Sequence, residues 1–436
     1  MKLDISQLKT LAAKLGVLKI YSVFILPAVL IAVALFLLFI LSPLMGLGLR
    51  NQINQTSISS GRQISSLISE NISQKQIQAE REYQDILAQD ANEIAQRVRQ
   101  TTQRALLTYN LFPEPQDKSA LIFNNFGRRY HEVVEKLVEQ IGGKEPPSLA
   151  EIEENLKKAT GYSPDSSRFS TDAMEGFMPQ RQLQANEVEQ TIIDELCRSA
   201  AKSGLCYINI LELPGYDYWD IGSVAGAGAL RVKRYQYSDT EQSVRECWHW
   251  QLGYWIMEDI FETIAAMNSD CSNILTCPVK RLVALTFGAE TSFRMGQEVS
   301  SMFSIAPSYV SSENPGLAIP LSDRSNNNKI DTVHFQLNVI VRADSVMSFM
   351  EQLCTAKQHV FKGWDGNAPP KTFQRNQIVI LNAQMNPVSE QDTAHQLYRY
   401  GDGKMVSLEL TCEYIFDSEA YDAVKPSFLK SQVLGY

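Results

Sequence analysis

A stretch of thirty residues between Lys19 and Arg50 carries no charged side chain. Its core, residues 20–41, is a run of 22 mostly apolar residues. A helix needs roughly 20 such residues to cross the hydrocarbon layer of a membrane. The alternative is a cleaved signal peptide, whose apolar region is only about 7–15 residues long and is followed by a small-residue cleavage site. The length of the run therefore predicts a transmembrane helix at residues 20–42.

The charges on either side of this run indicate an orientation. Four lysines precede it, at positions 2, 9, 14 and 19, whereas Arg50 is the first basic residue after it. Positively charged flanks stay in the cytoplasm. We therefore predict an amphipathic cytoplasmic tail at residues 1–19, a single-pass protein of the bacterial inner membrane, and a periplasmic location for the rest of the chain.

The net charge argues against one class of partner. The whole chain carries −9, and residues 1–50 carry +4, from five basic residues and Asp4, so −13 remains for residues 51–436. Such an acidic region repels a phosphate backbone. We do not expect nucleic acid as a partner.

Residues 50–109 contain Gly61 but no proline, and their apolar residues recur at spacings of three and four. This period is typical of one long helix with a narrow apolar seam, which cannot bury itself without a second helix. We therefore predict a coiled-coil stalk that ends before Pro113. The partner-binding seam comprises Ile64, Ile68, Ile72, Ile86, Ile94 and Val98.

A helical and irregular linker is predicted at residues 110–185, including a helix that begins with a capping box at Ser148 and Glu151. A first α/β half-module follows at 186–288. Its central helix, which ends near Asn268, is apolar on every side and is expected to be buried. Trp248, Trp255 and Ile260 are its predicted structural core, and residues 279–287 form the next strand.

The last part of the chain shows the clearest alternation. Residues 289–330 are a Ser-, Asn- and Pro-rich insertion, and residues 331–418 follow as strand, helix, strand (373–385) and strand (406–416). That order is most of a split βαβ, or ferredoxin-like, module. Residues 419–436 form a C-terminal tail. The predicted fold class is therefore α+β, with a transmembrane helix, a long stalk helix and a ferredoxin-like head.

No residue pattern predicts catalysis, a cofactor or a metal. His131 and Glu135 lie four residues apart, but the zinc-protease pattern H-E-x-x-H is broken and no third ligand follows. Carboxylates at 258, 259 and 262 cluster on the central helix, where a solvated stripe is the ordinary interpretation. We therefore predict a non-enzyme without catalytic, cofactor-binding or metal-binding residues.

The seven cysteines are an odd number, so at least one has no partner within the chain. Cys271 and Cys277 flank a short segment and can close a disulfide in an oxidising compartment. The other five are predicted to be buried apolar thiols.

This plan of tail, membrane helix, stalk and α/β head resembles that of the PilO-type alignment proteins of type IV pilus machines and their GspM-type relatives of type II secretion. The residues that carry the resemblance are the helix–strand unit at 240–287 and the module at 333–416. The resemblance implies a non-catalytic scaffold that binds sister single-pass membrane proteins through stalk and head, or forms a homodimer. Two alternatives remain open: a periplasmic sensory or ligand-binding module, and a cell-envelope adhesion stalk protein.

Overall fold

The computed structural model describes residues 22–37, isolated positions between 39 and 65, and residues 74–160, 187–220, 234–287, 306–310, 322, 324–389 and 392–431. The chain divides into two compact units, Met1–Ala91 and Asn92–Tyr436.

The helices of the described residues are α1 (Ser22–Phe36), α2 (Gln74–Thr101), α3 (Ala120–Gln140), α4 (Leu149–Thr160), α5 (Glu187–Ser203), α6 (Thr240–Asn268), α7 (Val346–Leu353) and α8 (Ser427–Ser431). The capping box at the start of α4 is confirmed. The Ser148 amide donates to the Glu151 carboxylate at 2.8 Å, and the Glu151 amide donates to the Ser148 hydroxyl at 3.2 Å. Helix α6 begins after Asp239, whose side chain accepts from the Gln242 amide at 2.8 Å.

The strands are β1 (Gly143–Lys144), β2 (Cys206–Tyr207), β3 (Val279–Phe287), β4 (Ile330–Arg342), β5 (Lys357–Phe361), β6 (Lys371–Arg375), β7 (Ile378–Pro387) and β8 (Met405–Asp417). Six of them form a mixed sheet in the order β1-β2-β3-β4-β8-β7. The first two pairings are parallel, and those of β3, β4, β8 and β7 are antiparallel. Strands β5 and β6 form a separate two-stranded hairpin.

Helix α6 lies at the centre of the second unit, and α3, α7 and β3 pack against it. The apolar face of β4 contributes to the same core through Val333, Phe335, Leu337, Val339 and Val341. Helix α3 lies in the region predicted to be a linker, but its Phe123, Phe126 and Tyr130 are fully buried in this core. Burial of these aromatic rings makes α3 part of the folded unit rather than a connection to it.

The predicted transmembrane helix is wrong. Helix α1 has 15 residues, and at about 1.5 Å per residue it extends about 22 Å, against a hydrocarbon layer of about 30 Å. Over the part of the chain that the structure describes, no helix has both the length and the hydrophobicity that a membrane crossing requires. The predicted single-pass inner-membrane location, with a cytoplasmic N-terminus and a periplasmic bulk, depended on that helix and is corrected with it.

The predicted stalk is also wrong as a single helix over 50–109. Helix α2 ends at Thr101, and residues 103–118 contain no helix or strand. Within this segment Arg104, Leu106 and Leu111 are buried in the second unit. The long-range contacts of these side chains replace the helical turns that the local periodicity predicts.

The ferredoxin-like head is not formed. The predicted strand 373–385 is divided between β6, which ends at Arg375, and β7, which begins at Ile378. Strand β6 pairs with β5 in the hairpin, whereas β7 pairs with β8 at the edge of the six-stranded sheet. The observed architecture is an α+β fold with a mixed six-stranded sheet, in which β4 lies between β3 and β8.

Candidate functional site

Helix α2 carries the described part of the predicted partner-binding seam. Ile86, Ile94 and Val98 are 56%, 62% and 43% exposed, and Leu87 is exposed beside them. Ile64, Ile68 and Ile72 lie outside the described residues. The rest of α2 is rich in Gln, Glu, Asp and Arg, so its apolar side chains interrupt a polar surface.

The residues that follow α2 are held in place by other elements of the second unit. The Trp255 indole donates to the Ala105 carbonyl at 2.9 Å, and the Leu107 amide donates to the Gln251 side chain at 2.8 Å. Arg99 forms an ion pair with Glu419. Residues 99–107 are therefore held to α6 and to the segment after β8, and they fix the last turn of α2.

Arg104 is the centre of this attachment. It is 3% exposed, donates to the Trp255 carbonyl at 2.8 Å and to the Tyr414 hydroxyl at 2.9 Å, and forms ion pairs with Glu258 and Asp259. The buried guanidinium thus has acceptors for most of its donors, as burial of a charge requires.

The Tyr414 hydroxyl joins the members of this network. It donates to Asp259 at 2.6 Å and accepts from Arg104 at 2.9 Å and from Arg375 at 2.8 Å. One donated and two accepted bonds saturate a tyrosine hydroxyl. We call Arg104, Asp259, Arg375 and Tyr414 the buried arginine cluster.

The charges of the cluster determine which of its side chains are protonated. Burial alone raises the pKa of Asp259, but Arg104, Arg375 and the bond from Tyr414 outweigh burial and hold this pKa below its usual range. Burial, assisted by Arg375 and Arg104, lowers the pKa of the neighbouring His359 to about 4. At neutral pH the cluster therefore contains an ionised Asp259 and two arginine cations, and the neighbouring His359 is neutral.

The sequence pattern does not predict this cluster. It places Asp259 on a solvated stripe and Arg104 in the stalk, whereas the two side chains are 4% and 3% exposed. One signal was available: Asp259 is flanked by Met257, Ile260 and Phe261 in a helix that is apolar on every side. A carboxylate within such a helix is expected to have a buried cationic partner.

The predicted core residues Trp248, Trp255 and Ile260 are placed in the interior, at 0%, 2% and 0% exposure. Trp248 and Trp255 lie edge-to-face with ring centroids 6.2 Å apart. The Trp248 indole donates to the Tyr309 hydroxyl at 2.7 Å, so both indole nitrogens have acceptors.

Cys271 and Cys277 lie together in the loop after α6 and both are free thiols. Burial and a hydrogen bond with Cys271 raise the pKa of Cys277. The predicted disulfide between them stays a prediction.

His131 and Glu135 both contact Tyr216. The His131 Nε2 donates to the Tyr216 carbonyl at 2.6 Å, and the Tyr216 hydroxyl donates to Glu135 at 3.0 Å. The residues that the structure describes include no group of three or more His, Cys, Asp or Glu side chains arranged to hold a metal ion.

No family model, curated protein or solved structure matches this chain. The resemblance to PilO-type and GspM-type proteins is untested by these comparisons and stays a prediction. The assignment to pilus or secretion machinery is corrected, because no helix among the described residues can cross a membrane, as that assignment required, and no family match supports it. The class that the structure itself defines is an α+β protein with a mixed six-stranded sheet.

Proposed function

We propose that this chain is a non-catalytic structural protein that assembles by pairing helix α2 with α2 of a second copy. The observation that supports the proposal is the exposure of Leu87, Ile94 and Val98, apolar side chains on a helix that is otherwise rich in Gln, Glu, Asp and Arg. A polar helix that presents apolar side chains to water is an interaction surface.

The exposed residues form one face. A helix turns by about 100° per residue, so Leu87, Ala91, Ile94 and Val98 lie within an arc of about 60°. Their spacings of four, three and four are those of residues that pack between paired helices. We call these four residues the α2 face. Ile86 lies about 110° from the centre of this arc, although the predicted seam included it.

The α2 face is complementary to itself in the antiparallel direction. Leu87 of one copy then lies opposite Val98 of the second copy, and Ala91 lies opposite Ile94, with each pairing formed twice. Asp90 and Arg97 flank the same side of the face. In this arrangement Asp90 of each copy meets Arg97 of the other, which gives two intermolecular ion pairs.

The magnitudes favour a weak dimer. Burying a fully exposed Ile, Leu or Val side chain contributes about 1.5–3 kcal/mol. The six side chains of the two copies are each about half exposed, so together they contribute about 4–9 kcal/mol. Association opposes this with about 4–15 kcal/mol of lost translational and rotational freedom. The small difference corresponds to a weak dimer, with a dissociation constant that is micromolar or higher.

The test is sedimentation equilibrium of the full chain over a range of concentrations. We expect a monomer–dimer equilibrium that Ile94→Asp shifts to monomer, because a buried unpaired carboxylate disfavours the interface. The matched control is Ile86→Asp, which introduces the same charge on the same helix outside the α2 face and is expected to leave the equilibrium unchanged.

Charge reversal tests the direction of pairing. Asp90→Arg and Arg97→Asp are each expected to weaken the dimer, because each brings like charges together, whereas the double variant is expected to restore it. A wild-type chain that stays monomeric throughout, or an Ile86→Asp variant that dissociates as readily as Ile94→Asp, contradicts the proposal.

A further inference from the structure

A second buried ion pair lies away from the arginine cluster. The Lys425 Nζ is 2.6 Å from the Asp331 Oδ2, and the two side chains are 2% and 0% exposed. Asp331 is the second residue of β4, and Lys425 belongs to the segment that follows β8. Backbone bonds hold this segment in place: the Ser418 amide donates to the Lys329 carbonyl and the Lys425 amide to the Tyr421 carbonyl, both at 2.9 Å.

The two buried charges of this pair have few hydrogen-bond partners besides each other. Within the described chain, Asp331 is the one hydrogen-bond acceptor of the Lys425 ammonium, whose remaining environment includes the Tyr309 ring at 5.0 Å. The second carboxylate oxygen, Asp331 Oδ1, has no hydrogen-bond partner among the described residues. An ammonium has three donors, and a buried ion pair is stable only when its remaining donors and acceptors are satisfied. The pair therefore lacks the further hydrogen bonds that two buried charges ordinarily have.

A chain of hydroxyl groups reaches the same carboxylate. The Tyr421 hydroxyl donates to Asp331 Oδ2 at 2.6 Å, Tyr309 is hydrogen-bonded to Tyr421, and the Trp248 indole donates to Tyr309 at 2.7 Å. Burial raises the pKa of both tyrosines well above the ordinary value, so both keep their protons at neutral pH. The carboxylate thus has a protonated hydroxyl in contact with one of its oxygens.

We propose that Asp331 and Lys425 condense into an intramolecular amide, so that this site is one of covalent self-modification. The apposition of an amine and a carboxyl group in a water-excluded pocket supplies the proximity that the reaction needs. The product is neutral, and it removes both buried charges and leaves one N–H donor in place of three.

The condensation needs neither an oxidant nor a cofactor. A proton first passes from the ammonium to the carboxylate along the 2.6 Å contact, which gives an amine and a carboxylic acid. The amine lone pair then attacks Cγ of Asp331 and forms the C–N bond. A second proton from the nitrogen passes, by way of the Tyr421 hydroxyl, to the carboxyl oxygen, and the C–O bond breaks with release of one water molecule.

The test is mass spectrometry of the full chain under denaturing conditions, followed by tryptic mapping. We expect an intact mass lower than the sequence mass by one water molecule. The map is expected to contain a branched peptide that joins residues 330–342 to residues 405–430, because trypsin does not cleave between Lys425 and Pro426. The branched peptide is decisive, since an aspartyl cyclic imide also loses water but leaves the two peptides separate.

Two variants complete the experiment. Lys425→Arg keeps the positive charge but has no primary amine, and it is expected to show the full sequence mass. Tyr421→Phe removes the hydroxyl that carries the proton and is expected to lower the branched fraction at a fixed time after refolding. A wild-type chain of full mass that yields the two peptides separately overturns the proposal, as does a Lys425→Arg variant that still loses one water and gives the branched peptide.

Discussion

Helices α2 and α6 have nearly the same length, 28 and 29 residues, and opposite surroundings. The apolar residues of α6 lie all around its axis, and the folded unit buries them. Those of α2 are few and lie on an exposed surface. A helix with apolar residues on every side is buried within its own chain, whereas a polar helix with one narrow apolar face leaves that face exposed. Four predictions test this difference.

The largest effect is expected for Trp255→Ala in α6. Truncating a buried tryptophan removes its packing and leaves a cavity, so the free energy of unfolding should fall by about 3–5 kcal/mol. Urea denaturation of the full chain measures this loss. The control is Tyr83→Ala on α2, an exposed aromatic residue whose truncation is expected to change stability by less than about 0.5 kcal/mol. Equal losses for the two variants would remove the distinction between the helices.

The next largest effect concerns the buried arginine cluster, through which α6 holds the residues after α2. Tyr414→Phe deletes the hydroxyl that bridges Asp259, Arg104 and Arg375. Hydrogen bonds to charged groups contribute about 1.5–3 kcal/mol, and a loss of this size is expected in urea denaturation. Tyr254→Phe is the control, because its hydroxyl contacts the partly exposed Glu258 and its loss should cost less. A Tyr414→Phe variant as stable as wild type would show that the cluster does not hold this region together.

A smaller effect is expected from pH. The pKa values of His249 and His359 are lowered to about 4, chiefly by burial, and lie below the usual value of about 6.5. As pH falls through this interval, the unfolded state binds the proton before the folded state does. Stability is therefore present above about pH 6.5 and declines towards pH 4. Thermal melts should show this decline, and His359→Gln should make it shallower. If the slope of stability against pH is the same in His359→Gln as in the wild type, groups other than His359 cause the decline.

The smallest effect on folding is expected from the α2 face. Ile94→Ala should change the free energy of unfolding of the monomer by less than about 0.5 kcal/mol, because the side chain is 62% exposed. The same substitution should weaken dimerisation, so stability and association should separate in this variant. A loss of monomer stability above about 1 kcal/mol would mean that Ile94 packs against its own chain.

Local patterns were sufficient to predict the elements whose buried residues recur at a regular spacing along the chain. Strand β3 has the predicted bounds, residues 279–287, and the alternation in β4 and β8 identified both strands. Of the candidate site, the sequence indicated Ile94 and Val98 on an apolar seam, but it also included Ile86, which lies off the α2 face. The reason is that spacings of three and four are compatible with several overlapping helical faces, and the angle of each residue around the helix axis decides between them.

The sequence by itself determined that α6 is apolar on every side, that β4 and β8 alternate, and that α4 begins with a capping box, because each of these depends on neighbours within a few residues. Only the tertiary structure decided that α2 ends at Thr101, that Asp259 is buried beside Arg104, and that β6 pairs with β5 rather than joining the large sheet. In the first two of these cases the deciding partner is distant in sequence. Arg104 and Asp259 are 155 residues apart, and a buried charge is stable only where such a partner meets it.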